Sequence, residues 1–194
     1  MASSRLHIVQ IIRVILLFLM LPLLAGCPPV TGDNITIVQN DSTAPELTVG
    51  IGQPEGESAT ASDGGSPASI KLTKKSGPLN VLVAARDGES GIQALRVDVV
   101  VEVTTCDASQ CVGGQPPFSG APTFDYTEPR KNPGDATAES ITWGRELDLT
   151  MYIPQDNVAP GKSRFVDVIF TAAAVNHLGR RTLTPAVKAR WSEP

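Results

Sequence analysis

Chemistry in this 194-residue sequence has few places to start: three cysteines, two histidines (His7 and His177) and 20 carboxylates. No phosphate-cradling glycine loop, dinucleotide fingerprint, HExxH helix or GxSxG elbow accompanies them. Cys106 and Cys111 have four residues between them, which suits a small loop clasp. It is not the CxxC spacing of zinc knuckles or redox motifs, and no second Cys/His pair completes four zinc ligands. His177 falls within Asn176-His177-Leu178-Gly179, a hairpin-turn sequence, so an exposed turn histidine is expected there. A hydrolytic triad would need a carboxylate and a presented serine beside it.

Among the acids, Asp87 and Glu89, with Asp41 nearby, are candidates for calcium through hard oxygen donors. The competing assignment is a corner in which Asp87 caps the turn of residues 87–91, since no D-x-D-x-D run supplies the six to eight oxygens calcium takes. Glu146 and Asp148 share a strand face and imitate a glycosidase pair, but their neighbours Leu147, Leu149 and Met151 mark them as the solvated side. Lys71, Lys74 and Lys75, or Arg180, Arg181, Lys188 and Arg190, are candidate contacts for acidic polysaccharide or anionic headgroups, or edge charges that discourage strand-to-strand aggregation. Phe118, Phe124 and Tyr126 lie in the irregular stretch 115–126, where a partner site is sought first. A net charge of -4 supplies no positive field for a phosphate backbone, so nucleic acid is not expected as a partner.

The elements that must position these groups read as strands. Leu95, Val97, Val99, Val101 and Val103 alternate with Arg96, Asp98 and Glu102, the period-two pattern of a half-buried strand. Leu47, Val49 and Ile51 alternate likewise, as do Ile70 with Leu72, and Leu147, Leu149, Met151 and Ile153. Residues 79–85 are nearly all apolar, as in a strand buried on both faces. Residues 165–175 form another strand, and residues 181–191 return after the hairpin as the last. Residues 52–69 read as a long exposed loop, and residues 113–140 as largely irregular with a short strand at Phe124 and Tyr126. No helical period survives beyond the N-terminus. The expected fold class is all-β, an antiparallel sandwich of about seven strands.

The N-terminus reads as an export signal. Arg5 and Arg13 are followed by the apolar run of residues 14–25, whose 12 residues fall short of the roughly 20 a membrane span needs. Its end, Leu24-Ala25-Gly26-Cys27, resembles the lipobox of bacterial lipoproteins. That resemblance implies cleavage before Cys27 and acylation of its thiol and amine, since two or more acyl chains anchor stably where one does not. Localisation in the cell envelope follows, with the outer membrane favoured because Pro28, and not Asp, comes next. Residues 1–26 are then the signal peptide. Loss of Arg5 and Arg13 with it leaves 14 of the 16 basic side chains against all 20 acids, a formal charge of -6. Residues 27–44, rich in Pro, Thr, Gly, Asn and Asp, read as a flexible tether to a domain spanning residues 45–194. An oxidising envelope favours a disulfide between Cys106 and Cys111 over a metal pair.

Three pieces resemble bacterial immunoglobulin-like or fibronectin-type-III-like envelope domains. They are the approach Asp41-Ser-Thr-Ala-Pro45 before Leu47-Thr-Val49, the corner Val81-Leu-Val-Ala-Ala-Arg-Asp87-Gly-Glu-Ser-Gly91-Ile92 leading into Leu95-Arg-Val97, and the hairpin Ala172-Ala-Ala-Val-Asn176-His-Leu-Gly179. The 147 residues from Pro45 to Trp191 exceed the roughly 100 of a plain domain of that kind, and the excess falls in the irregular stretches. The resemblance implies an immunoglobulin-like sandwich and a lipid-anchored, non-catalytic binding or structural module for protein or glycan partners, with no resident cofactor. Two alternatives stay open: an envelope hydrolase or enzyme-accessory domain, and a calcium-stabilised spacer.

Overall fold

The computed structural model describes residues 31–39, 41–115 and 124–194. The described residues form twelve strands: β1 (Thr31–Ile37), β2 (Glu46–Gly52), β3 (Ser58–Ser62), β4 (Ala68–Lys71), β5 (Pro78–Arg86), β6 (Ile92–Cys106), β7 (Cys111–Gln115), β8 (Phe124–Thr127), β9 (Ala136–Asp148), β10 (Ser163–Asn176), β11 (Arg181–Leu183) and β12 (Val187–Glu193). They form a five-stranded sheet in the order β1-β9-β5-β2-β3 and a seven-stranded sheet in the order β4-β12-β10-β6-β7, with β11 also on β10 and β8 also on β6. The fold is a β-sandwich. No helix among the described residues is long and apolar enough to cross a membrane.

The frame is β6 against β10, antiparallel and in register from Cys106 opposite Ser163 to Ala94 opposite Val175. On β6 the alternation works as read: Leu95, Val97, Val99 and Val101 are buried, while Arg96 and Glu102 are exposed. Each such side chain removed from water contributes about 1.5–3 kcal/mol before entropic costs. Facing them across the sandwich are Leu47, Val49, Val81, Val83, Ile141 and Trp143 from the other sheet. The Trp143 ring stacks on Phe124 at 5.2 Å between centroids.

Several expectations are corrected. The described residues alone give twelve strands where about seven are expected, and β12 pairs with β4 in parallel, so one sheet is mixed. The expected tether contains β1, which pairs with β9, and Val38, which is buried and donates its N–H to the Asp135 carbonyl at 2.9 Å. Its pairing partner, the otherwise open edge of β9, supplies the order that its own residues do not announce. The expected loop 52–69 contains β3, whose only buried apolar side chain is Ala61. Residues 79–85 are covered on one face only: Leu79, Val81, Val83 and Ala85 point inward, while Leu82 is 56% exposed. Met151 is 64% exposed because a single 3-10 turn, Leu149–Met151, replaces the extended chain there. The expected last strand is broken at Pro185, which has no N–H for the ladder, so β11 and β12 engage β10 separately. Cys106 and Cys111 form a disulfide across directly paired positions of β6 and β7.

The inward and outward alternation sets a contrast that urea unfolding measures. Trp143→Ala is expected to cost about 3–5 kcal/mol, because the ring fills the middle of the sandwich. Val100→Ala, on the outward side of β6, should stay within about 0.5 kcal/mol. Equal midpoints for the two variants would contradict the packing.

Candidate functional site

The β5–β6 corner, residues 87–91, carries the chain from one sheet to the other. Asp87 makes the turn: its Oδ1 accepts the N–H groups of Glu89, Ser90 and Gly91 at 3.1, 2.7 and 3.2 Å. Gly91 has φ +70°, and a Cβ there would lie 2.1 Å from Thr137 Cγ2, so both backbone conformation and space require glycine. The second oxygen of Asp87 accepts Asn176 Nδ2 at 3.0 Å. Asn176 Oδ1 in turn accepts the N–H groups of Leu178 and Arg180 at 3.1 and 2.8 Å, which forms the β10–β11 hairpin. Asp41 Oδ2 accepts the Ser90 hydroxyl at 2.8 Å. Burial pushes the Asp41 carboxyl up, but hydrogen bonds from Thr43 and Ser90 outweigh it and hold the group below its ordinary range. Approach segment, corner and hairpin, far apart in sequence, thus meet in one buried polar latch.

This geometry is that of a turn cap and not of a cation cradle. Asp87 is surrounded by donors, Glu89 is exposed, and the described residues contain no group of three His, Cys, Asp or Glu side chains placed to hold a metal.

His177 is fully buried, against the expected exposed turn residue. Its Nδ1 accepts the Lys131 N–H at 3.2 Å, and its Nε2 lies 2.7 Å from Thr137 Oγ1. With Nδ1 accepting, the proton belongs on Nε2, which donates to the threonine oxygen, and the ring is neutral. Burial is the main cause that lowers its pKa, reinforced by the Lys131 charge. Both nitrogens are engaged inside the fold, so the ring is closed to a substrate and acts as a pin between hairpin and β9.

The aromatic partner site also moves inward. Phe118 lies outside the described residues. Phe124 and Tyr126 sit on β8 opposite Val97 and Leu95 and pack on the core. The Tyr126 hydroxyl donates to Glu128, which with burial raises its pKa and lowers that of Glu128. Of the basic candidates, Lys188 and Arg190 both engage Asp167, at 3.1 and 2.7 Å, and Lys74 and Lys75 face Glu55 and Glu193. Glu146 and Asp148 are exposed. Cys27 lies outside the described residues.

The surface that can hold a ligand carries no marker along the sequence. At the far end of the sandwich, an open cleft of about 750 Å³ is lined by Phe165, Trp191, Leu72, Lys71, Glu57 and Glu193, among others. Trp191 follows Val187 and Ala189 on the core side of β12, where the sandwich ends and the ring is only partly covered. Two polar atoms in this lining, Trp191 Nε1 and Glu193 Oε2, are buried without a hydrogen-bond partner. Both atoms lie beneath the cleft surface, and the Glu193 carboxylate is paired through its other oxygen with Lys75 at 3.5 Å. Phe165 and Trp191 come together only because β10 and β12 pair, with Phe165 opposite Ser192. No signal along the chain joins them. The cleft offers ring faces, carboxylates and hydroxyls, a set for binding. No protein-family model, curated protein or solved structure matches the chain.

The latch makes a prediction in pH. For His177, whose folded pKa is lowered, the unfolded chain takes up the proton first, so stability is full above the ordinary value of 6.5 and falls as pH drops through it. Asp41 and Glu128, whose folded pKa values are also lowered, add their losses only in the carboxylate range. Thermal melts between pH 8 and pH 5, a window spanning the reference histidine value, should fall for the native chain and flatten for His177→Gln. Asn176→Ala, which strands one carboxylate oxygen and two N–H groups, should cost about 1–3 kcal/mol at any pH.

Proposed function

We propose that the chain is a bacterial envelope lipoprotein, anchored through acylated Cys27, whose immunoglobulin-like sandwich is a non-catalytic module that binds a glycan in the Trp191 cleft. The observation that carries the ligand assignment is the partly covered Trp191 ring set with Phe165 in the wall of an open cleft. A pyranose presents an apolar C–H face to an aromatic ring and, at its rim, hydroxyls that both accept and donate. Ser163, Ser192, Thr73 and Glu57 line the remainder of the cleft and supply partners for such hydroxyls. A protein partner would more naturally seek a flat apolar patch with a polar rim than an open cleft of this size. The anchor rests on Leu24-Ala25-Gly26-Cys27 and the preceding apolar run.

The two halves are tested separately. Mass spectrometry of the membrane fraction should show a chain beginning at acylated Cys27, and Cys27→Ser should release the protein. An unmodified N-terminus at Met1 would overturn the anchor. For the cleft, the chain has two tryptophans, and Trp143 is buried, so Trp191 dominates any response of emission to ligand. Titration with β-linked N-acetylglucosamine oligomers and with neutral hexose oligomers should shift the emission for one class. Trp191→Ala should weaken that binding about tenfold or more, equivalent to at least ~1.4 kcal/mol. Calorimetry showing no binding of either class, or equal binding by Trp191→Ala, would refute the glycan assignment.

A further inference from the structure

The Trp191 cleft adjoins a further depression at each end. The cleft itself lies across the ends of three neighbouring strands, with Lys71 from β4, Trp191 and Glu193 from β12, and Ser163 and Phe165 from β10. Where β10 meets β6, a second depression of about 380 Å³ shares Ser163 with it and continues to Cys106 and Asp107. Beyond β4, a third of about 400 Å³ shares Thr73 and runs between the β2–β3 turn and the loop before β5, from Gln53 and Pro54 to Ser76 and Pro78. The cleft is therefore the middle member of a row that follows the strand order β4-β12-β10-β6. Three strand spacings of about 4.8 Å make that part of the row roughly 14 Å long, and the third depression extends it.

The walls of the row are tied in place by side chains. Gln53 Oε1 accepts the N–H and the hydroxyl of Thr73 at 2.9 and 3.1 Å, and Glu57 Oε2 accepts the Lys71 N–H at 2.8 Å, so the β2–β3 turn is held to the chain leaving β4. On the other side Arg164 forks onto Asp156, each nitrogen 2.9 Å from its oxygen, and anchors the loop whose residues 158–162 bound the second depression. A bidentate pair of this kind fixes orientation as well as distance. Walls set before binding spare the ligand the cost of ordering them. Charge along the row is mixed. Glu55 faces Lys74 at 3.7 Å in one flank, and in the other Asp107, whose ionised form Ser109 favours through hydrogen bonds, also feels the Lys162 charge. No excess of positive charge is present to hold an acidic polysaccharide. A cleft of the size that houses a ligand of several rings, continued at both ends, suits the interior of a chain and not its terminus. Resting on the glycan reading of the cleft proposed above, we infer that the ligand is an uncharged glycan chain held along its length. One sugar lies on the Trp191 ring, and its neighbours occupy the depressions beyond Thr73 and Ser163.

The test titrates the intact protein with a ladder of neutral oligosaccharides, from disaccharide to octasaccharide, of N-acetylglucosamine and of hexose, and reads Kd by calorimetry and by Trp191 emission. Affinity for the class that binds should rise about tenfold or more along the ladder, ~1.4 kcal/mol, and level off once the row is covered. Longer chains also offer more registers to a single subsite, and two variants separate that statistical gain from added contacts. Ser76→Leu and Ala159→Leu, at exposed positions of the two flanks, each fill one depression with a side chain that cannot bond hydroxyls. With thermal melts confirming that both fold, they should leave disaccharide binding unchanged and remove most of the gain with length. A disaccharide bound as tightly as the octasaccharide, or a gain that both leucine variants keep, overturns the chain assignment and leaves the glycan reading of the cleft intact. Tighter binding of hexuronic acid oligomers than of neutral ones overturns the uncharged assignment. If no oligomer of any length binds, the cleft reading falls first and the chain assignment falls with it.

Discussion

One carboxylate holds the two sheets in relation to each other at the corner end. Asp87 closes the step from β5 to β6 through three backbone N–H groups and ties that step to Asn176 at the end of β10. Asn176 spends its own oxygen on the following hairpin, so corner and hairpin are defined by the same pair of side chains. The group is fully interior: Ser90, Asn176 and His177 are inaccessible to solvent and Asp87 is nearly so. In a low-dielectric interior a satisfied network is rigid, and a single missing member leaves several groups unpaired at once. The β6–β10 register, and with it the inward set of valines, depends on this end being fixed, because the only irregularity in that long pairing falls between Val175 and Asn176.

The rest of the sandwich is closed by less polar means. β6 is longer than any one partner on its outer side. β8 covers its first half and β7 its second, and the disulfide joins β7 to β6 at the end of the ladder. β8 is only four residues long, but it brings Phe124 over Trp143 of the opposite sheet, and the stacked rings fill the side that two sheets would otherwise leave open. Aromatic side chains expected to await a partner are therefore consumed by the fold's own core.

What the sequence made legible follows from how strongly each strand discriminates its two faces. β6 alternates valine with charge and is unmistakable, and the Asp/Gly/Ser corner and the Asn-x-x-Gly hairpin carry turn chemistry that survives without context. β1 and β3 discriminate weakly. Their inward positions are filled by Thr36 or Ala61, residues that bury little surface, and their order comes from the neighbouring edge. In β5 the outward Leu82 hides the alternation, so a strand covered on one face imitates one covered on both. His177 misleads for a related reason: a turn residue is exposed by default, and only the packing of residues 128–137 over the hairpin, invisible along the chain, buries it. The cleft was illegible because its two rings are 26 residues apart in sequence and meet through strand pairing alone.

The outward Leu82 that misleads the sequence pattern also shows how the outer faces are built. A leucine on a solvated strand face contributes nothing to the core, and the adjacent Gly50 and Gly144 remove the side chains that would ordinarily shield it. Exposed single apolar residues are common, and one such leucine would mean little. Here it shares a face with Ile35 and Ile37, but the same registers set Glu46, Glu146 and Asp148 outward on that face, and the opposite face likewise combines exposed Val100 with Asp167, Lys188 and Arg190 committed to one another. Both exteriors therefore carry charge around isolated apolar side chains, the pattern of sheets hydrated on their outer faces. The alternation is strict where a facing sheet selects each side chain and relaxed outside, where none does.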